Sequence, residues 1–385
     1  MGRQESIARS LTQALTTTNG NGNGAGERSS RNLLGWILAF FSALFSLYQL
    51  TLRKIRPAEF NKLRRDHWDV TDDAYVESFL PREEGGSKRE EALKAIGDMG
   101  FSGSTFYSTA DQKYLVKSVP RYSEYSFFRD DLLTPYAEYM ASHPYSLLVR
   151  ICDFLCLTGP SIGRLLSLAP SHHIVMDNIM YGKDQAKKRG EPDWESWDLK
   201  PTSYFYPERD IADGALTSEA TKDQLADEFP DKIILSKEKA DEFFATVEAD
   251  TKLLADHNAV DYSLFLVRLQ PPKGSAVNTN SDPTSSTEAA QSADLVADDH
   301  PPTVPPGPPS WRVGIPSADG KHIYRAAILD FFWAKHKIQP IFMTILITAW
   351  NFVFHHGHMS ITTTPEEYRE RFLKMCRSYV EVRGE

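Results

Sequence analysis

Apolar and polar positions change period several times along this chain, and each change marks an element. From Gly100 to Tyr107, and again from Lys113 to Val119, apolar residues alternate or run together around a polar break at Ala110-Asp111. That pattern predicts two strands joined as a hairpin. Glu124 to Met140 carries a helical period, Pro144 to Cys156 is an apolar region expected to pack under the sheet, and Ile174 to Met176 reads as a short strand. Farther on, Ser236 caps a helix that runs to His257 and puts Ala240, Phe243, Phe244, Val247 and Leu254 along one face. A last helix begins at Thr364-Pro365-Glu366-Glu367, where a capping hydroxyl, a first-turn proline and two acids suit the positive end of the dipole. Its stripe is Tyr368, Phe372, Cys376 and Tyr379, while Cys152 and Cys156, four apart, are expected to share a buried helix face.

Three stretches fall outside this rhythm. Residues 1–31 are polar, with an Asn-Gly run from Asn19 to Gly24, and read as a disordered tail. Residues 271–309, rich in Pro, Ser, Thr and Asp, read as a disordered insertion. Leu33 to Leu52 holds no charge over a length that suffices to cross a hydrocarbon core, which predicts one transmembrane helix rather than a signal peptide or an interfacial helix. Arg53, Lys54, Arg56, Lys62, Arg64 and Arg65 follow it, so the positive-inside rule leaves the C-terminal part in the cytosol, as a single-pass membrane protein. The same cluster is a candidate contact for an anionic leaflet.

The chain has 385 residues, enough for one large two-lobed unit, and a formal net charge of -9 that argues against nucleic acid as a partner. Its three cysteines form neither a disulfide framework nor a CxxC metal site and fit a reducing compartment.

The candidate chemistry begins with two aspartates beside apolar runs: Asp261, in Asp261-Tyr262-Ser263-Leu264-Phe265, and Asp330, in Ala327-Ile328-Leu329-Asp330-Phe331-Phe332. Phosphoryl transfer needs such a pair, one carboxylate at the attacking hydroxyl and one on the magnesium that bridges the nucleotide phosphates. An aspartate at a strand end is otherwise a cap or turn residue, so upstream residues must decide. Gly100 and Gly103 allow backbone amides to approach phosphate oxygens closely. Lys117 lies in a Leu-Val-Lys-Ser-Val strand where its ammonium suits phosphates, and Glu124, at the start of the next helix, is placed to hold that lysine in an ion pair.

The segments GFSGSTFY, YLVKSV, SEYSFF, HHIVMDNIM, WDLK, HNAVDYSLF, AAILDFF and the terminal TTTPEEYRERF resemble, in this order, those of the phosphatidylinositol phosphate kinases. Leu63 to Phe79 resembles that family's leading segment, so the likeness covers about residues 58–383 apart from the insertion. The resemblance implies a two-lobed α+β fold of the SAICAR-synthase-like kind with antiparallel sheets, its N-terminal lobe at 58–180 and its C-terminal lobe at 181–385. It implies ATP and Mg2+, with Lys117 on the ATP phosphates, Glu124 paired to it, and Met176 to Asn178 beside the adenine. Lys200 becomes a second phosphate-directed lysine, Asp261 the residue at the inositol hydroxyl, and Asp330 the metal ligand. Phosphoinositide lipids and a membrane surface are the implied partners, and a homodimer is compatible with it.

Departures from that family are visible too. Pro201 stands where the family has glycine after the DLK motif; it fixes φ and removes a donor, which puts the position of Lys200 in question. The activation-loop lysines are represented only by Lys335-His336-Lys337, with the specificity position near Ile338 to Pro340. Ile341 to Phe354 is an apolar run that reads either as a segment dipping into a bilayer or as a core helix, and His355, His356 and His358 after it lack the partners of a metal set. Lys183, Lys187, Lys188 and Arg189 form a further basic run, read as a solvated loop or a lipid contact. Two rivals to a lipid kinase remain: a catalytically inactive lipid-binding scaffold on the same fold, motivated by Pro201, and a protein kinase.

Overall fold

The computed structural model describes residues 3–17, 50–84, 88–98, 104–158, 169–201, 228–271, 310–334 and 364–383. Gly100, Gly103, the insertion, Lys335 to Lys337, the apolar run 341–354 and the three histidines after it lie outside these residues.

Helix α1 (Arg3–Thr16) comes first, followed by strand β1 (Leu52–Lys54), α2 (Pro57–Lys62) with a π turn at Leu63–His67, and α3 (Asp72–Glu77). Two hairpins follow, β2 (Arg82–Glu84) with β3 (Lys88–Glu90), and β4 (Leu93–Asp98) with β5 (Thr105–Thr109), and then β6 (Tyr114–Ser118). Helices α4 (Tyr122–Phe127) and α5 (Leu133–Ser142) are joined through a π turn, Phe128–Leu132. Strands β7 (Ile151–Leu157) and β8 (His172–Asp177) complete a six-stranded antiparallel sheet of order β1-β7-β8-β6-β5-β4. The expected β5–β6 hairpin is present, turning through Gln112 with φ 62°.

The second part holds α6 (Lys183–Lys188), β9 (Glu195–Leu199), β10 (Ile233–Ser236), α7 (Lys237–Asp256), β11 (Ala259–Val260) and β12 (Ser263–Leu269). After it come β13 (Ile315–Pro316), β14 (Ile323–Leu329), β15 (Trp333–Ala334), α8 (Pro365–Tyr379) and β16 (Val380–Arg383). A four-stranded antiparallel sheet, β13-β14-β12-β9, forms its centre, and the mixture of segregated helices with antiparallel sheets makes the fold α+β. Both predicted caps form: Ser236 Oγ accepts from the Lys239 amide, and Thr364 and Glu367 make a reciprocal capping box.

One hydrophobic core runs through both sheets. The sheets join where Leu148 bridges Ile328, with the Ile328 amide donating to the Leu147 carbonyl at 2.7 Å and the Val149 amide to the Ile328 carbonyl at 3.1 Å. Buried Asp250 of α7 clamps this junction, accepting from Tyr139 Oη (2.7 Å), Ser146 Oγ (2.8 Å) and the Leu147 amide (2.6 Å).

Three expectations are corrected here. Residues Arg3–Thr16, expected within a disordered tail, form α1, which contacts both edge strands of the six-stranded sheet, β1 and β4. Fourteen helical residues extend about 21 Å, close to the roughly 24 Å width of six paired strands, so the helix crosses the sheet from edge to edge. Ile7, Leu11 and Leu15, spaced by four, supply the buried stripe. Cys152 and Cys156 lie on strand β7, not on a helix; an even spacing puts both on one face of a strand just as a spacing of four does on a helix.

The third correction concerns the membrane. Leu52 opens a strand instead of closing a helix, residues 33–49 lie outside the described residues, and among the described residues no helix is long and apolar enough to cross a membrane. A single crossing would put the chain before and after the run on opposite sides of a bilayer. Instead the two flanks touch: the Leu50 amide donates to Ser10 Oγ at 3.0 Å, and Lys54 Nζ donates to the Leu15 carbonyl at 3.2 Å. The basic cluster is largely internal wiring rather than a membrane flank. Lys54 pairs with buried Asp153 at 3.3 Å, Arg64, also buried, faces Asp153 at 3.6 Å and Asp72 at 3.3 Å, and Arg56 pairs with Glu59. A carboxylate as deeply buried as Asp153 requires such partners.

Candidate functional site

Two breaks in the antiparallel ladder build the site. Strand β12 pairs with β14 from Leu269↔Ile323 to Ser263↔Leu329, and β11 pairs with β15 at Val260↔Trp333 and Ala259↔Ala334. Between these pairings one chain has Asp261-Tyr262 and the other Asp330-Phe331-Phe332, two residues against three, so the ladder must turn a corner. Asp261 (φ 65°) and Asp330 (φ 63°) make that turn, both in the left-handed region, which aspartate tolerates better than most side chains. The hydrophobic residues beside them fix the corner from within. Tyr262 meets Tyr368 and Phe372 of α8 edge-on, with ring centroids 4.7 and 4.9 Å apart, and its carbonyl accepts from Tyr368 Oη. Phe332 meets Phe128 at 5.0 Å, and Phe331 stacks on Tyr136 at 5.8 Å. Both carboxylates are left half-buried at the junction of the two sheets.

Lysines arrive from either side. Lys117 stands on β6 between Phe106 of β5 and Ile174 of β8, and its ammonium pairs with Asp330 Oδ1. Lys200 follows β9, whose Leu199 is opposite Leu264 of β12, and its Nζ lies 2.9 Å from Asp261 Oδ1. Burial alone pulls the Lys200 ammonium down, but Asp261, Asp330 and Asp198 outweigh it and hold its pKa above the usual lysine value. For Asp330 burial pushes the carboxyl up, and Lys117 and Lys200 prevail, keeping it below the usual carboxylate range. The Lys200–Asp261 pair forms with buried Pro201 next in the chain; the lysine's direction follows from the β9–β12 pairing, not from the residue after it.

The remaining candidates fall into place differently. Met176, the next-to-last residue of β8, lies opposite Leu115 and is buried. Asn178 is spent on shaping the chain: its amide donates to the Lys113 carbonyl at 3.0 Å, its Nδ2 to the Gln112 carbonyl at 2.8 Å, and its Oδ1 accepts from the Met180 amide at 3.0 Å. The expected Lys117–Glu124 ion pair does not form. Lys117 is taken by Asp330, and Glu124 Oε1 instead accepts from Arg121 Nη1 at 2.7 Å. Arg121 is the residue the sequence reading missed; a basic residue three before the helix glutamate was the available signal. Two further arginines brace the segment after Met176: Arg312 pairs with Asp177, and Arg325 Nη1 donates to the Tyr181 carbonyl at 2.8 Å.

A pair of carboxylates with two lysines thus stands at the seam of an antiparallel sheet and its companion, a set of groups chemically suited to phosphoryl transfer. The sequence profile described as phosphatidylinositol-4-phosphate 5-kinase matches residues 87–379, more than half of the chain. This chain belongs to that family. It is 30% identical over 177 residues to a probable phosphatidylinositol phosphate kinase of Dictyostelium discoideum, covering 46% of this chain and 22% of that protein. A phosphatidylinositol 4-phosphate 5-kinase of Plasmodium falciparum is 24% identical over 311 residues, 77% of this chain and 17% of its own. The chain thus spans about a fifth of the length of the curated relatives it matches.

Proposed function

We propose that this protein is a lipid kinase that transfers the γ-phosphoryl group of ATP to the headgroup of a phosphatidylinositol phosphate at a membrane surface. The observation that carries the reading is the doubled Lys–Asp arrangement at one corner, Lys117 on Asp330 and Lys200 on Asp261. Asp261 orients the attacking inositol hydroxyl and accepts its proton. Lys117 and Lys200 leave their carboxylate partners for phosphate oxygens, neutralising charge where it accumulates in transfer. Lys117 comes from the six-stranded sheet, Lys200, Asp261 and Asp330 from the four-stranded sheet and its corner, and in this reading the adenine lies beside Met176.

The corner fits a magnesium ion of the kind that accompanies a nucleotide. Such an ion takes one or two carboxylates and completes its shell with phosphate oxygens and water, so Asp330, half-buried, with Asp261 beyond it, is a sufficient protein contribution. Bound there, Mg2+ would supply neutralisation of the phosphate charge.

The test is ³²P transfer from Mg-ATP to vesicles containing each of the three monophosphorylated phosphoinositides in turn, with Asp261→Asn as control. Transfer to one of them by the wild type, lost in the variant, supports the reading. Vesicle binding without transfer in either protein would instead establish an inactive scaffold, and faster labelling of a serine or threonine substrate a protein kinase.

A further inference from the structure

The junction holds more than the two Lys–Asp pairs. Arg121, Glu124, Lys117, Asp330, Lys200 and Asp261 form a series of six charges of alternating sign that leads from the start of helix α4 to the corner between β11 and β12. Direct contacts link Arg121 to Glu124, Lys117 to Asp330 and Lys200 to Asp261. Between these pairs, Lys117 lies close enough to favour the ionised Glu124 carboxylate, and Lys200 to favour that of Asp330.

Arg121 ends the series and has two engagements. It is the residue just before α4, in extended conformation, and donates to Glu124 at 2.7 Å. Its guanidinium also lies over the ring of Trp333, 5.5 Å from the centroid. Trp333 is three residues beyond Asp330, on strand β15, against which α4 packs. One side chain therefore touches both the helix that carries Glu124 and the segment that carries Asp330.

An arginine paired at i,i+3 on a helix surface ordinarily contributes little. This pair is different, because the Glu124 side chain is only 14% exposed and its carboxyl is pushed up by burial, an effect that Arg121 and then Lys117 oppose while Asp330 adds to it. Without Arg121, the groups facing Glu124 are Lys117 from β6 and Asp330 from the corner. The carboxylate must then take up a proton or draw Lys117 away from Asp330, and either change moves the ammonium that serves the phosphates.

We propose that Arg121 is a positioning residue for phosphoryl transfer: it holds the Glu124 carboxylate beside Lys117 and, through Trp333, couples helix α4 to the segment bearing Asp330. The inference rests on the reading of Lys117 and Asp330 as the nucleotide site. It predicts that Arg121 governs affinity for Mg-ATP without touching the nucleotide or the lipid.

Mg-ATP binding to the full chain, measured by titration calorimetry alongside transfer kinetics, tests it. Arg121→Gln is expected to weaken Mg-ATP binding and raise its KM about tenfold, Arg121→Lys to recover part of that loss, and Trp333→Leu to give an intermediate effect. Because Arg121 acts through Glu124, Glu124→Gln is expected to match Arg121→Gln, and the double variant to be no worse than either alone. The KM for lipid should stay unchanged throughout. Unaltered Mg-ATP affinity in Arg121→Gln, or losses that multiply in the double variant, would overturn the inference while leaving the site assignment intact. A wild-type chain that binds no Mg-ATP overturns both.

Discussion

Lys117 and Asp330 stand 213 positions apart in the chain and pair ammonium to carboxylate across the seam between the two sheets. Asp330 is thus compensated without any ligand, and under the proposed function nucleotide binding would be an exchange of partners in which Lys117 gives up the carboxylate for phosphate. Replacing Lys117 by Met removes the exchangeable cation, and kcat/KM for phosphate transfer should fall by about 10²–10³. Asp330→Asn should abolish the dependence of nucleotide affinity on Mg2+. Calorimetric titration with and without Mg2+ reads this directly; an undiminished Mg2+ effect in Asp330→Asn would remove Asp330 as the ligand.

Lys200 reaches Asp261 with proline as its next residue, so the proline does not decide the lysine's position. Pro201→Gly should cost about 0.4–1 kcal/mol of stability by loosening the unfolded chain, and kcat should stay within about threefold. Lys200→Ala, by contrast, should lower kcat by about 10²–10³ with the melting temperature little moved. A Pro201→Gly protein several tens of times faster than wild type would show that the departure from the family's glycine does restrain catalysis.

Asp250 gives the junction a pH signature. Burial pushes its carboxyl from the usual 3.8 up to about 6, while the hydrogen bonds from Tyr139, Ser146 and the Leu147 amide pull the other way. A carboxyl that holds its proton more tightly when folded favours folding fully below pH 3.8, and that contribution disappears as pH rises through about 6. Asp250→Asn cannot titrate. The stability of wild type relative to Asp250→Asn should therefore fall by about 2 kcal/mol between pH 4 and pH 7. Urea denaturation at both pH values checks this, and a difference independent of pH would refute it.

Helix α1 should behave as part of the folded unit. Leu11→Ala empties a fully buried position and should cost about 2–4 kcal/mol, whereas Gln13→Ala on the exposed face should change stability by less than about 0.5 kcal/mol. Thermal melts of the two variants decide it. Equal melting temperatures would mean that the helix contributes nothing to the fold.

Legibility in the sequence followed the strength of local signals. Helices α7 and α8 announce themselves by cap and period together, and the β5–β6 hairpin by alternation around Asp111. Helix α1 was missed because its flanking composition is polar, although Ile7, Leu11 and Leu15 already keep helical spacing. Strand β7 is buried on both faces, so its run lacks the alternation that separates strand from helix. The basic cluster after Leu52 misled for a related reason: charge in sequence carries no sign of whether its partner is water, lipid or, as for Lys54 and Arg64, a buried Asp153 a hundred residues away.

At the site, the identity and order of Lys117, Glu124, Lys200, Asp261 and Asp330 were readable, and their partners were not. Which lysine meets which carboxylate depends on how two sheets abut. Lys117 passes over the nearby Glu124 for distant Asp330, and Glu124 turns to Arg121. No spacing rule within one segment contains that choice.

The two-against-three corner also limits how this protein can change. Asp261 lies two residues before the first residue of strand β12, and the long polar stretch 271–309 begins two residues after its last, at the far end of a strand about 23 Å long. At the distal end the sequence already carries a long Pro-, Ser-, Thr- and Asp-rich stretch, so added length there leaves the corner's register untouched. At the corner a single inserted or deleted residue between Val260 and Ser263, or between Leu329 and Trp333, would swing one aspartate to the opposite face and separate the pair. Variation among descendants of this gene should accordingly accumulate as insertions at one end of β12 and only as substitutions at the other.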